Sequence, residues 1–141
     1  MKTRVLFAVA ALLAMCSCSP QISNNVSRQT ETVSDSHPDY AVVHIYRPGG
    51  YVSTPYDVYI GSEKVYRSKK YSKKDIRIYK SGPIEIWGET DTKEAIQLDV
   101  EVGKDYYVRS DATIGTSDWR PNFTVVEAEV GRGECSRIQE K

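Results

Sequence analysis

A chain of 141 residues holds one domain with its own core and is too short for two of ordinary size. Lys plus Arg and Asp plus Glu both total 19, so no global charge points to nucleic acid, and no basic-and-aromatic RNA-reading motif is present. All ten tyrosines fall between positions 40 and 107, which suits half-buried strand surfaces better than a helical bundle.

The N-terminus reads as a signal peptide: Lys2 and Arg4 precede Val5 to Met15, an apolar run without charge and too short to span a bilayer as a helix. Where that run ends stands Leu13-Ala14-Met15-Cys16-Ser17-Cys18, which resembles the lipobox of bacterial lipoproteins. The resemblance implies cleavage before a lipidated Cys. Cys18, preceded by the small Ser17, fits best, and Cys16 is the alternative. Several acyl chains at about 0.8 kcal/mol per buried methylene make a stable anchor. Ser19, which is not Asp, points by analogy with lipoprotein sorting to the outer membrane. If Cys18 is lipidated, Cys135 is the one remaining thiol; if Cys16 is, Cys18 and Cys135 are able to pair in an oxidising compartment.

Residues 19–39 turn to Ser, Asn, Gln and Thr with no apolar period, the composition of a flexible linker. About 20 such residues reach roughly 25 Å. The folded domain is expected over 40–138, in eight strands: 40–47, 56–60, 63–67, 74–79, 84–87, 96–102, 106–110 and 123–126. The clearest is the sixth, where Ile96, Leu98, Val100 and Val102 alternate with Gln97, Asp99 and Glu101. Burying those four side chains contributes roughly 6–12 kcal/mol, which fixes the register. Tight turns are expected at Gly61, Gly82 and Gly103, and from Glu127 the two glycines at 131 and 133 leave room for a short helix at best. The fold class is thus all-β, an antiparallel β-sandwich of seven or eight strands.

Tyr46-Arg47-Pro48-Gly49-Gly50, Tyr56-Asp57-Val58-Tyr59, the run Ile96 to Val102 with Gly103-Lys104, Tyr106-Tyr107-Val108 and Arg120-Pro121 together resemble the domain-of-unknown-function family 2846 (DUF2846). The resemblance covers about residues 40–138. It implies a β-sandwich found largely in bacterial lipoproteins, with no established activity. Gly61-Ser62 stands where that family usually has Asn-Gly, and Lys80-Ser81-Gly82-Pro83 replaces its Pro-Gly turn. The Tyr-Asp-Val-Tyr hairpin is also similar to PEGA domains.

No catalytic constellation stands out. His37 and His44 are the only imidazoles and no Ser lies in a Gly-x-Ser-x-Gly context, so neither a metal site nor a Ser-His triad is expected, and no cofactor. Charge is nevertheless uneven. Segment 63–80 carries Lys64, Arg67, Lys69, Lys70, Lys73, Lys74, Arg77 and Lys80 against Glu63 and Asp75, and segment 85–105 is acidic. The first suggests a patch for an anionic glycan; the plainer alternative is that neighbouring strands pair opposite charges across the sheet and that lysines blunt its edges.

If consecutive strands reverse, the connections 48–55, 68–73, 88–94 and 111–122 share one end, away from the tether, and all look long. Binding residues concentrate on such loops, which makes Tyr51, Trp119 and Arg120 candidate contacts beside Lys69, Lys70, Lys73 and Lys74. The sequence therefore reads as an envelope lipoprotein, anchored to the membrane by its N-terminal lipid and serving as a non-catalytic binding or structural module. Its expected partners are an envelope protein or anionic glycan; a small periplasmic hydrolase is the rival. An enzyme should place a His or a carboxylate pair in a concave pocket.

Overall fold

The computed structural model describes residues 37–139; the signal segment, Cys16 and Cys18, and the linker as far as residue 36 lie outside them. The described chain forms β1 (Ala41–Arg47), β2 (Tyr56–Ile60), β3 (Glu63–Ser68), β4 (Ser72–Ile78), β5 (Gly82–Glu89), β6 (Lys93–Val100), β7 (Asp105–Ile114), β8 (Trp119–Val126) and α1 (Ala128–Ser136). The strands build two four-stranded sheets, β4-β1-β7-β8 (sheet A) and β3-β2-β5-β6 (sheet B), with a shared apolar core. The result is an eight-strand, two-sheet, sandwich-like domain with one short helix.

Each sequence-expected strand is present, yet the sheets are not wholly antiparallel. β1 and β7 pair in parallel, with Val43 opposite Tyr106 and Ile45 opposite Val108. The cause is parity. Consecutive strands reverse, so two odd-numbered strands point the same way and become parallel when they are neighbours. β1 is buried on both sides, as its near-continuous Ala-Val-Val-His-Ile-Tyr-Arg run requires. Val43 and Ile45 meet Val58, Ile86, Leu98 and Val100 of sheet B, while Tyr46 faces outward. β6 keeps the expected alternation, with Leu98 and Val100 buried and Gln97 and Asp99 exposed, but it ends at Val100: Val102, expected as its fourth buried residue, falls half-buried in the turn before β7.

What packs on the outer face of sheet A is α1, the short helix for which its two glycines left room. Tyr46, Tyr107 and Ile138 form a second buried cluster, with Val126, Ala128 and Cys135 packed against it. Gly131 is necessary there. A Cβ at that position would stand 2.3 Å from Cβ of Tyr107, so the helix approaches the sheet only where a side chain is missing. Polar contacts fix the dock: the Tyr46 hydroxyl donates to Glu134 Oε2 at 2.6 Å, Arg109 grips both carboxylate oxygens of Glu134, and Lys73 Nζ donates to the Cys135 carbonyl at 3.2 Å. Tertiary packing has overridden the helix cost of glycine, about 1 kcal/mol each.

Connections fall at two ends as parity demands, but only 48–55 is long. The expected loops 68–73, 88–94 and 111–122 shrink to 69–71, 90–92 and 115–118 because the strands around them run further. Asp111–Ile114 and Trp119–Asn122 continue the β7–β8 ladder, and Pro121 is tolerated because β8 is an edge strand. The folded part also starts earlier than residue 40. His37, expected in the linker, stacks on Tyr40 with ring centroids 4.7 Å apart.

Candidate functional site

The long connection is shaped by the residue that starts it. Arg47 is 1 % exposed, and its guanidinium donates to the carbonyls of Val52 at 2.6 Å and Thr54 at 2.9 Å. Residues 48–55 therefore wrap around a buried charge that satisfies carbonyls the loop would otherwise leave unpaired. Val52 is buried beneath the loop, while Tyr51 projects from its tip with its ring wholly exposed. A loop pinned from inside holds Tyr51 at little entropic cost, as a preorganised contact requires.

The basic turn meets this loop. Tyr71 adopts a left-handed backbone, φ 57°, and its ring lies so close to Gly49 that a Cβ there would be 3.1 Å from Cε1 of Tyr71. This contact holds the 69–71 turn against Gly49, within the loop that carries Tyr51. Lys69 is exposed, as is Lys74 at the start of β4, whereas Lys73 is committed to the Cys135 carbonyl. The acidic segment does not neutralise this turn: among the described residues no ion pair joins 63–80 to 85–105. Lys64 and Arg67 pair instead with Asp57 of β2 at 2.8 and 2.9 Å, which holds that carboxyl below its usual range. The plainer alternative holds for part of the segment: Lys64 and Arg67 pair with Asp57 across neighbouring strands, and β3 and β4, which carry Lys64, Arg67, Lys73, Lys74 and Arg77, are both edge strands.

Trp119 and Arg120 share this end but belong to β8, at the opposite edge of sheet A from β4. Both are tied down. The Trp119 backbone N–H donates to Asp91 at 2.9 Å and its carbonyl accepts from the Thr90 hydroxyl, while Arg120 Nε donates to Asp118 at 2.7 Å. Thr92 reaches Asp118 at 2.8 Å as well, so this cluster clips the β5–β6 turn to β8. The seven candidates do not form one surface. Lys69 and Lys70 lie on the turn that touches Gly49 of the Tyr51 loop, whereas Trp119 and Arg120 lie in β8 at the far edge of sheet A.

Three open clefts border these elements. One, of about 580 Å3, lies between residues 48–52, the outward residues of β7–β8 and Glu134. A second, about 510 Å3, lies on the other side of the loop and is walled by Trp119, Tyr59 and Asp57. The third, about 800 Å3, opens on the outer face of sheet A and brings together the chain's two histidines. There His44 stacks on Tyr107 at 4.4 Å and bonds Asp75 at 2.7 Å, and Arg77 lies over the Tyr40 ring at 5.0 Å. No group of three or more His, Cys, Asp or Glu is placed to hold a metal ion among the described residues.

The 580 Å3 cleft also holds two carboxyls in unlike settings. Burial pushes Asp111 up, whereas the hydrogen bond from Arg109 holds Glu134 down. Pairs whose environments drive them apart are the usual mark of an acid and a base. Glu134, however, is fully engaged by Arg109 and Tyr46. The hydroxyl network nearby is structural: Ser68 Oγ donates to the Ser110 carbonyl at 3.0 Å, Ser110 Oγ donates to the Tyr46 carbonyl at 3.1 Å, and both residues are fully buried. Cys135 is no nucleophile, because burial pushes its thiol up to about 11. The tyrosines are mostly packing. Tyr59 stacks on Trp87 at 4.2 Å and Lys93 lies 4.2 Å over that indole, so these faces are already covered.

Sequence reasoning passed over Tyr71 and Asp111. Tyr71 carried no signal, since nothing local announces a left-handed tyrosine; Asp111 was hidden inside an expected loop. Among the described residues no helix is long and apolar enough to cross a membrane. No family model matches the chain, and neither a curated protein nor a solved structure matches it.

Proposed function

We propose that this protein is an outer-membrane lipoprotein, anchored through Cys18, whose domain is a non-catalytic module binding an anionic envelope polymer with the end opposite its tether. On this reading the domain is a lipoprotein β-sandwich of the kind suggested by the family-2846 resemblance. The observation that carries it is the contact of Tyr71 with Gly49, which brings the turn carrying Lys69 and Lys70 against the loop that bears the exposed Tyr51. Lys69, exposed, and Lys70, half-buried, form no ion pair among the described residues, and a basic turn against a loop with an exposed aromatic side chain suits a polymer carrying carboxylate or phosphate groups.

Binding of this kind should be steeply salt-dependent, because the polyanion releases counterions on association. Retention on immobilised heparin or lipopolysaccharide should fall with salt and should be lost when Lys69, Lys70, Lys73 and Lys74 become Gln. Retention that survives both changes would sink the polyanion. For the anchor, Cys18→Ala should release the protein from membranes. Acylation that persists in Cys18→Ala and disappears in Cys16→Ala would place the lipid on Cys16.

A hydrolase is the second reading, and the Asp111 and Glu134 pair is the observation behind it. Occupation of both Glu134 oxygens by Arg109 and Tyr46 favours binding over hydrolysis. Glycan turnover abolished by Asp111→Asn would reverse that preference.

A further inference from the structure

We propose that the cleft between residues 48–52 and the outward residues of β7 and β8 is a subsite for a neutral saccharide ring, distinct from the lysine turn. The inference rests on reading this end as the binding end, but not on the polyanion. Its volume, about 580 Å3, lies within the 300–1,000 Å3 usual for small-molecule sites.

Three features select the ligand. A pyranose has one face of C–H groups and a rim of hydroxyls, so it needs an aromatic face and planar hydrogen-bonding groups together. Tyr51 supplies the first: its ring is uncovered on both sides and its loop is held from within by Arg47. The strand register supplies the second. Asp111 stands directly opposite Asn122 across the β7–β8 pair, with Thr113 opposite Arg120 in the next outward row. Directly opposed side chains have Cβ atoms about 4.5–5.5 Å apart, which sets a carboxylate acceptor beside an amide that both donates and accepts. Adjacent ring hydroxyls, each a donor and an acceptor, match that pairing.

The third feature is charge. Arg109, the cation on this wall, is neutralised by Glu134, so an anionic group gains nothing here that the lysine turn does not offer better. Asn122 is exposed on this wall and both donates and accepts, so an apolar ligand would waste it.

The test uses the full-length chain in detergent and three neutral probes, cellotetraose, chitotetraose and maltotetraose, titrated by calorimetry at low and high salt. At least one should bind, with affinity unchanged by salt, and Tyr51→Ala and Asn122→Ala should each weaken it by about tenfold or more. Both side chains are exposed, and unchanged near-ultraviolet circular dichroism would show that the variants fold. Absence of binding by all three probes, or binding indifferent to both substitutions, would overturn the assignment. The two failures are separable: salt-insensitive heparin retention removes the polyanion and leaves the saccharide cleft standing, whereas silent titrations remove only the cleft.

Discussion

Replacing Arg47 tests whether one buried side chain builds the loop on which both binding proposals depend. Arg47→Met removes two charge-assisted hydrogen bonds, to the carbonyls of Val52 and Thr54, and keeps an unbranched apolar side chain of similar length. Each such bond contributes about 1.5–3 kcal/mol, so the gross loss is about 3–6 kcal/mol. Two effects offset it: the native state no longer carries a desolvated charge, and an opened loop lets both carbonyls reach water. The expected net loss is about 2–4 kcal/mol. For a domain of about 100 residues that lowers the thermal midpoint by roughly 10–25 °C. Arg47→Lys keeps the charge, but one ammonium cannot reproduce the planar fork that spans two carbonyls, so most of the loss should remain. Thermal denaturation followed by circular dichroism gives the stability, and amide hydrogen exchange over residues 48–55 gives the locality. If Arg47→Met lies within about 1 kcal/mol of the parent and the loop amides stay as protected, the guanidinium does not organise this loop and Tyr51 is not preorganised.

The helix offers a matched pair: Gly131→Ala should destabilise by about 1–3 kcal/mol through collision with Tyr107, while Gly133→Ala, which meets nothing within 4 Å, should stabilise by up to about 1 kcal/mol. Equal denaturant midpoints for the two would mean that α1 does not dock as described. Glu134 is depressed, so its contribution is present above the unfolded glutamate value of about 4.3 and is lost as pH falls through the lower folded value. Glu134→Gln should therefore lower the midpoint at neutral pH and converge on the parent in acid; a constant gap at all pH values would exclude the Arg109 linkage. Asp111 is raised, so the folded state is penalised as pH climbs above the unfolded aspartate value of about 3.9, and Asp111→Asn should be more stable than the parent at neutral pH. A lower midpoint there would show that attraction to Arg47 and Arg109 outweighs burial. Cys135, with its thiol pushed up to about 11, should react slowly with iodoacetamide at mildly alkaline pH and quickly once denatured; peptide mapping that finds it alkylated at a free-thiol rate in the native protein would contradict its burial.

Most of the sheet framework was legible because period two is a strong signal wherever one face is buried. The Ile96 to Val102 run could sit in one register only, and Leu98 and Val100 are buried accordingly. The hairpin at Gly61 was equally plain, and Gly61 has φ 57°. What failed was non-local. Which strands become neighbours depends on how two sheets divide eight strands, so the parallel β1–β7 pair had no local signature. Strand ends were underestimated where the residues are polar: Asp111 and Thr113 are exposed or half-buried, lie on an outward face and read as loop, although the ladder to Asn122 and Arg120 is complete. A short helix was expected after Glu127, but only the proximity of Tyr107 explains why glycine is required at 131.

The same distinction governs the candidate site. Tyr51 was readable because an aromatic residue in a Pro- and Gly-flanked loop has nowhere to hide, and it is indeed the most exposed large side chain named. Trp119 and Arg120 invited the same inference only because β8 was started four residues late. Once inside the strand, their neighbours at 90–92 and 118 become clear, and they act as a clip. The basic run was visible as composition but not as geometry. Eight cations in eighteen residues say nothing about which are free; their partners do. Lys73 turns to the helix and Lys64 and Arg67 to Asp57, while Lys69 and Lys70 sit on a turn that Tyr71 presses against Gly49. A charge run is a prior on a surface. Only the partners of each side chain decide whether that surface has charge left to offer a ligand, and here Lys69 and Lys70, which form no ion pair among the described residues, lie on the turn that touches the loop a buried arginine holds open.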